Sequence, residues 1–172
     1  MKYSNSGKDG NSMIYILIVA AVVFMEYKIK GHIDKNRELD ERQEILNGRI
    51  IIRKHYNEGA FLSFLKNNKE LLKTISCVGL GLLVLLFAIL LPKKGNKLLK
   101  LGLSLVLGGA ISNVWDRFGK GHVIDYFSIN YKKLKTIIFN LSDMAIFLGT
   151  FLMLLASLPS AVFKGSSHKA LK

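Results

Sequence analysis

Apolar residues gather into four runs along this chain, separated by segments dense in lysine, arginine and carboxylates. The runs cover 12–27, 72–91, 98–116 and 137–158. A helix that crosses a bilayer needs about 20 mostly apolar residues. The second and fourth runs meet that length outright, whereas the first is short and the third has polar residues at its end. The pattern predicts four transmembrane helices. The first run also has the build of a cleaved signal peptide, with Lys2 and Lys8 ahead of an apolar core. No small-x-small cleavage site follows it, only Glu26-Tyr27-Lys28, so we expect it to be retained.

The segments between the runs divide further. Residues 28–46 are highly charged and are expected to prolong the first helix beyond the membrane, with Glu38 and Arg42 as an i,i+4 pair. From Arg49 to Leu65 the pattern changes. Ile50-Ile51-Ile52, Phe61-Leu62 and Phe64-Leu65 are interrupted by Asn57-Glu58-Gly59, a turn between short strands. This predicts a small sheet lying at the membrane surface. There is no internal repeat, low-complexity tract or second domain, so residues 1–172 are expected to form one membrane-embedded domain.

Composition adds charge to this outline. The chain has 25 Lys and Arg against 12 Asp and Glu, a balance that in a soluble protein would suggest nucleic acid. Here the basic residues lie mostly between apolar runs, where anionic lipid head groups attract them, and no nucleic-acid partner is expected. Four spans put both termini on one side. That side, with Lys93, Lys94, Lys97 and Lys100 in and after the link between the second and third runs, holds nine basic residues against fifteen on the other. The larger share sits in a long loop with seven acids, and charge alone leaves the orientation open. The one cysteine, Cys77, reads as a small residue of a membrane helix. His32, His55, His122 and His168 are scattered, so neither a metal nor another cofactor is implied.

Two aspartates carry the candidate chemistry. Asp125 ends the run Gly-His-Val-Ile-Asp, in a short extended or re-entrant piece from Val123 to Ile129. Asp143 enters the fourth apolar run, about six residues past its start and so ~9 Å along a helix. A carboxylate in lipid costs roughly 2.5–3.5 kcal/mol even on the milder insertion scale. Two of them close together cannot both ionise cheaply, which leaves one acid and one base. Asn113 and Arg117 are four apart on one helix face, and Asn140 and Asp143 are three apart on another. On spacing alone a structural hydrogen bond or an ion-path residue explains Asp143 more readily than a catalytic pair. A non-catalytic membrane binder or transporter is therefore the reading from another class. Asp116 is a rival partner for Asp143 but adjoins Arg117, with which an interfacial ion pair is expected, while Trp115 is a natural interface anchor. His122 reads as a solvated loop residue. Glu26 and Lys30, four apart, read as a helix salt bridge with the lysine snorkelling to the interface.

GGAISNVWDRFGKGHVIDYF at 108–127 together with FNLSDMAI at 139–146 resembles the two strongest motifs of the lipoprotein signal peptidases, also called signal peptidase II. Order, spacing and hydropathy agree across most of the chain. The resemblance implies an all-α integral membrane protein of four transmembrane helices, with a small extracytoplasmic β-sheet or cradle and a charged extracytoplasmic helix extension. It implies an aspartic endopeptidase of the bacterial cytoplasmic membrane, multi-pass with both termini cytoplasmic, and thereby an orientation. Such an enzyme removes signal peptides from prolipoproteins before a diacylglyceryl-modified cysteine. The catalytic pair would be Asp125 and Asp143, with Asn57, Gly59, Asn113, Arg117 and Asn140 binding substrate, and no cofactor. Its partners would be lipidated prolipoproteins and membrane lipids, and the enzyme a monomer. Glu26 stands where the family usually shows Asp, Tyr126 where it shows Phe, and Ser142 where it shows Ala. Glu26 and Lys30 match an acid–lysine pair four apart. The Asn-Glu-Gly-Ala-Phe loop is one residue short of the common form, which admits a specialised, non-standard membrane substrate as an alternative client.

Overall fold

A computed structural model of the chain describes residues 12–59 and 68–158. In chain order these form α1 (Ser12–Asn36), β1 (Arg42–Ile45), β2 (Ile50–Asn57), α2 (Lys69–Leu90), α3 (Lys97–Gly119), β3 (Val123–Ile129), a 3-10 turn (Lys132–Thr136) and α4 (Leu141–Ser157). The fold is mostly helical with one small sheet. α1, α2 and α3 are each long and apolar enough to cross a membrane, and α4 is a shorter apolar helix of 17 residues.

α3 is the hub and packs against α1, α2 and α4. Its packing on α4 depends on missing side chains. A Cβ on Gly102 would stand 2.6 Å from the Gly149 carbonyl oxygen, and one on Gly109 would stand 2.5 Å from that of Ser142. The two glycines are seven apart, two turns along one face, and let the backbones touch as small residues do in lipid. On α1 the buried positions Tyr15, Val22, Glu26, Lys30 and Ile33 recur at helical spacing and make a single stripe toward the bundle.

The bundle has two distinct ends. At one, the Ser12 hydroxyl donates to the Leu91 carbonyl at 3.4 Å, and Tyr15 donates to that of Lys97 at 3.5 Å. At the other end lies the three-stranded antiparallel sheet, in the order β1-β2-β3. The sheet packs on α1 through a cluster of Ile33, Ile124 and Tyr126, with Ile52, Tyr56, Phe127 and Leu141 around it.

Several expectations change here. α1 does continue past residue 27, but it stops at Asn36, and Arg42 belongs to β1. Glu38 and Arg42 therefore form no helical pair; the pair at this turn is Arg37 with Glu41, at 3.4 Å. β2 is a strand as expected, whereas the second apolar half, Phe61 to Leu65, lies outside the described residues. The fourth apolar run does not start as a helix. Ile137 to Phe139 run extended, and Phe139 bridges Phe127 of β3, with its amide donating at 2.7 Å. The helix starts only after Asn140, so Asp143 sits in its first turn rather than six residues in.

Candidate active site

Asp125 lies on β3, and its neighbours are chosen by an irregularity in the sheet. Ile52 faces Phe127, yet His55 faces Asp125, so β2 holds one residue more than β3 across this interval. Without the bulge, Lys54 would oppose Asp125 and Asn57 would point to the other face, because a one-residue slip reverses every side chain. With it, Asn57 Nδ2 donates to Asp125 Oδ2 at 2.9 Å. The Asn57 side-chain oxygen, Oδ1, accepts from the Gly59 backbone amide at 3.0 Å, which fixes the turn that follows.

Asp143 owes its place to a helix cap. The Asn140 side chain accepts from the Asp143 amide at 2.9 Å, and Asp143 Oδ2 accepts from the Asn140 amide at 3.2 Å. This reciprocal pair satisfies two amides that a helix start would otherwise leave bare. Asn140 also reaches across to β3, where its Nδ2 donates to Asp125 Oδ1 at 2.7 Å. One asparagine thus touches both aspartates. Asn113 of α3 donates to Asp143 Oδ1 at 3.1 Å, and Arg117, one turn on, reaches the Gly59 carbonyl at 3.2 Å.

The structure therefore brings Asp125, Asp143, Asn57, Gly59, Asn113, Arg117 and Asn140 together at one end of the bundle. All but Gly59 and Asn140 line a cavity of about 220 Å³. The rest of its lining is largely apolar, with Ile137, Ile138 and Phe139 and with Ile146 and Phe147 of α4. Asp125 is 3% exposed. Burial first, and then the charge of Asp143, pushes its pKa up to about 7, against the pull of hydrogen bonds from Asn57 and Asn140.

Three residues depart from what their local sequence suggests. Lys30 does not snorkel: it is 2% exposed and lies 3.3 Å from Glu26 and 2.8 Å from Asp116. Asp116 pairs with this lysine and not with Arg117. Lys30 also donates to Asn113 Oδ1 at 3.1 Å, so the buried ion cluster supports the cavity from behind. His122 is partly buried and lies 4.0 Å, centroid to centroid, from the Tyr56 ring. His55 lines the cavity although no motif marks it; its period-2 spacing to Asn57 is the available signal. Trp115 is 72% exposed on the outer face of α3, where an interface anchor belongs.

These features define a class: a membrane protein that holds two carboxyl groups, one on a strand and one at a helix start, about a shared asparagine beside a small half-apolar cavity at one end. The family model for signal peptidase (SPase) II matches residues 16–159. A lipoprotein signal peptidase of Listeria monocytogenes serotype 4b (strain CLIP80459) is 30% identical over 142 residues, covering 83% of this chain and 91% of that one. Its counterpart in Listeria innocua is 29% identical over the same coverage. Two solved bacterial membrane enzyme structures are similar, with TM-scores of 0.76 and 0.72, at 24% and 25% identity. They cover 92% and 89% of this chain and 94% of their own. The chain belongs to the signal peptidase II family.

Proposed function

We propose that this chain is an aspartic endopeptidase that removes the signal peptide of bacterial prolipoproteins before a diacylglyceryl-modified cysteine, with Asp125 and Asp143 as its catalytic pair. The observation that carries the reading is Asn140, which binds both carboxyl groups and so holds them as a unit. The ionised member takes a proton from water, whose oxygen attacks the scissile carbonyl. The protonated member donates to the carbonyl oxygen as the tetrahedral intermediate forms. Collapse breaks the C–N bond as one hydroxyl of the intermediate returns its proton to the member that donated it, and the proton taken from water passes to the leaving amine. The Asn57-to-Gly59 turn, Asn113, Arg117 and Asn140 orient the substrate backbone, and the apolar lining accepts its lipid-bearing side.

In this reading α4 is the fourth span. Its 17 residues extend ~26 Å, near the ~30 Å hydrocarbon thickness. Both termini then lie in the cytoplasm, the sheet and the cavity lie outside, and the enzyme works as a monomer. The experiment is cleavage of a lipidated model prolipoprotein by the purified chain in detergent. Asp125→Asn and Asp143→Asn are each expected to lose at least ~10²-fold in rate, the lower range for acid–base catalysis. Full activity in both sinks the mechanism. The working form keeps one proton, so the rate is expected to fall as pH rises through about 7, where Asp125 loses its proton.

A further inference from the structure

The first amides of a helix have no partner within it, and where the helix start is buried each needs an acceptor from elsewhere. At the start of α4, Asn140 supplies the acceptor for Asp143. The two preceding amides are held from other elements. Leu141 donates to the Tyr126 hydroxyl at 2.8 Å, and Ser142 donates to Glu26 Oε1 at 3.3 Å. The Tyr126 hydroxyl in turn donates to Glu26 Oε2 at 2.8 Å. A single phenol oxygen thus links β3, α1 and α4 in a chain of amide, hydroxyl and carboxylate. Glu26 is fully buried and Tyr126 nearly so.

The charges explain why the chain runs this way. Lys30 is one cation between two carboxylates, Glu26 and Asp116. The excess negative charge faces the start of α4, where the helix dipole favours an anion. Burial, together with the neighbouring Glu26, raises the Tyr126 pKa well above the usual phenol range, so the hydroxyl stays a donor throughout neutral pH. Tyr126 follows Asp125 on β3 and points to the opposite face. Its contacts at Leu141 and Ser142 lie immediately before Asp143.

We propose that Tyr126, held by Glu26, is a positioning residue for the carboxylate pair: its hydroxyl latches β3 to the first turn of α4 and so sets how Asp125 meets Asp143. The inference rests on the reading of those two aspartates as the catalytic pair. Without the hydroxyl, the Leu141 amide and one Glu26 oxygen lose their partner, β3 and α4 separate slightly, and each carboxyl group titrates more independently. The other groups around Asp125 are His55 and Asn57 from β2, Arg117 from α3, Asn140 and Asp143 from α4, and the charge of Lys30 from α1. Tyr126→Phe alters the identity of none of them, so a displaced pH profile reports geometry.

The test measures kcat, KM and the pH profile for cleavage of a lipidated model prolipoprotein, per folded molecule in detergent. Tyr126→Phe, Glu26→Asp, Asp125→Asn and Asp143→Asn are run side by side. Tyr126→Phe is expected to lower kcat about tenfold with KM nearly unchanged, because misplacement by a fraction of an ångström acts on the chemical step. The upper limb of its pH profile moves to lower pH. Glu26→Asp keeps the charge beside Lys30 but draws the acceptor back by one methylene, and it moves the same limb in the same direction even if Tyr126→Phe does not fold. A merely structural role lowers the thermal midpoint and leaves both the limb and the kcat per folded molecule unmoved. That outcome, with both aspartate variants inactive, overturns the latch and leaves the dyad standing. Active aspartate variants overturn the dyad itself.

Discussion

α2 and α3 lie side by side, and both are long and apolar enough to span a bilayer, yet they have opposite surroundings. α2 is the more hydrophobic, with a mean hydropathy of 2.3 against 1.5 in their most apolar stretches, and it buries only Leu72. α3 buries eleven residues, among them Lys100, Ser112, Asn113 and Asp116. In water the ranking would be reversed. In lipid an apolar side chain gains little by leaving the acyl chains, so polar and small residues are the ones that seek protein neighbours. The less hydrophobic helix is therefore the one that builds the site.

The largest test of this contrast removes the cation that pairs with the buried Asp116 of α3, which is Lys30 of α1, and, for comparison, an exposed cation of α2. Lys30→Met leaves Glu26 and Asp116 buried without their counter-ion. Breaking a buried pair in this way costs about 3–5 kcal/mol, read as a fall in the thermal midpoint in detergent. Lys73→Met on α2 removes a partner of Glu70, which is 84% exposed. Exposed pairs contribute little, so no measurable shift is expected there. Equal losses from the two changes would mean that burial on α3 is not what stabilises the bundle.

The same contrast marks what the sequence could disclose. Long apolar runs report the helices because hydropathy depends on composition alone. The cluster around Asp125 and Asp143 is visible as a motif, since Asn113 and Arg117 keep helical spacing and Asn140 stands just ahead of the helix it caps. Two things stay hidden. The start of α4 falls later than hydropathy suggests because Ile137, Ile138 and Phe139 are as apolar as the helix they precede, and only their pairing with β3 excludes them. The burial of Lys30 is not legible locally because its partner Asp116 comes 86 residues later in the chain, beside an arginine that looks the better match. Local spacing cannot choose between two cations when the fold supplies one of them from another helix.

Glycine offers a smaller and cleaner comparison. A Cβ at Gly109 of α3 meets the Ser142 carbonyl at 2.5 Å and Ile146 at 2.9 Å, whereas one at Gly81 of α2 meets nothing within 4 Å. Gly109→Leu is expected to cost about 1–3 kcal/mol, the range for overpacking. It should also lower cleavage activity, because Ser142 adjoins Asp143 on α4. Gly81→Leu should be neutral, or stabilising by up to ~1 kcal/mol, since glycine is the poorer helix former. A destabilising Gly81→Leu would show that α2 has a close neighbour in the native membrane.

The smallest effect discriminates best. Leu103 of α3 is fully buried and Leu82 of α2 is 63% exposed. In a membrane, truncating either to alanine loses little transfer energy, because the removed carbons leave one apolar surrounding for another. What remains at Leu103 is the void, at ~24 cal/mol per Å³ and so about 1–2 kcal/mol for a cavity of some tens of Å³. At Leu82 mobile acyl chains fill the space, and the expected change is indistinguishable from zero. Thermal unfolding of both variants in lipid nanodiscs measures the difference. If Leu82→Ala costs as much as Leu103→Ala, the outer face of α2 packs on protein and not lipid. The monomer proposed above would then give way to an assembly whose contact runs along α2, the most hydrophobic of the three helices long enough to span.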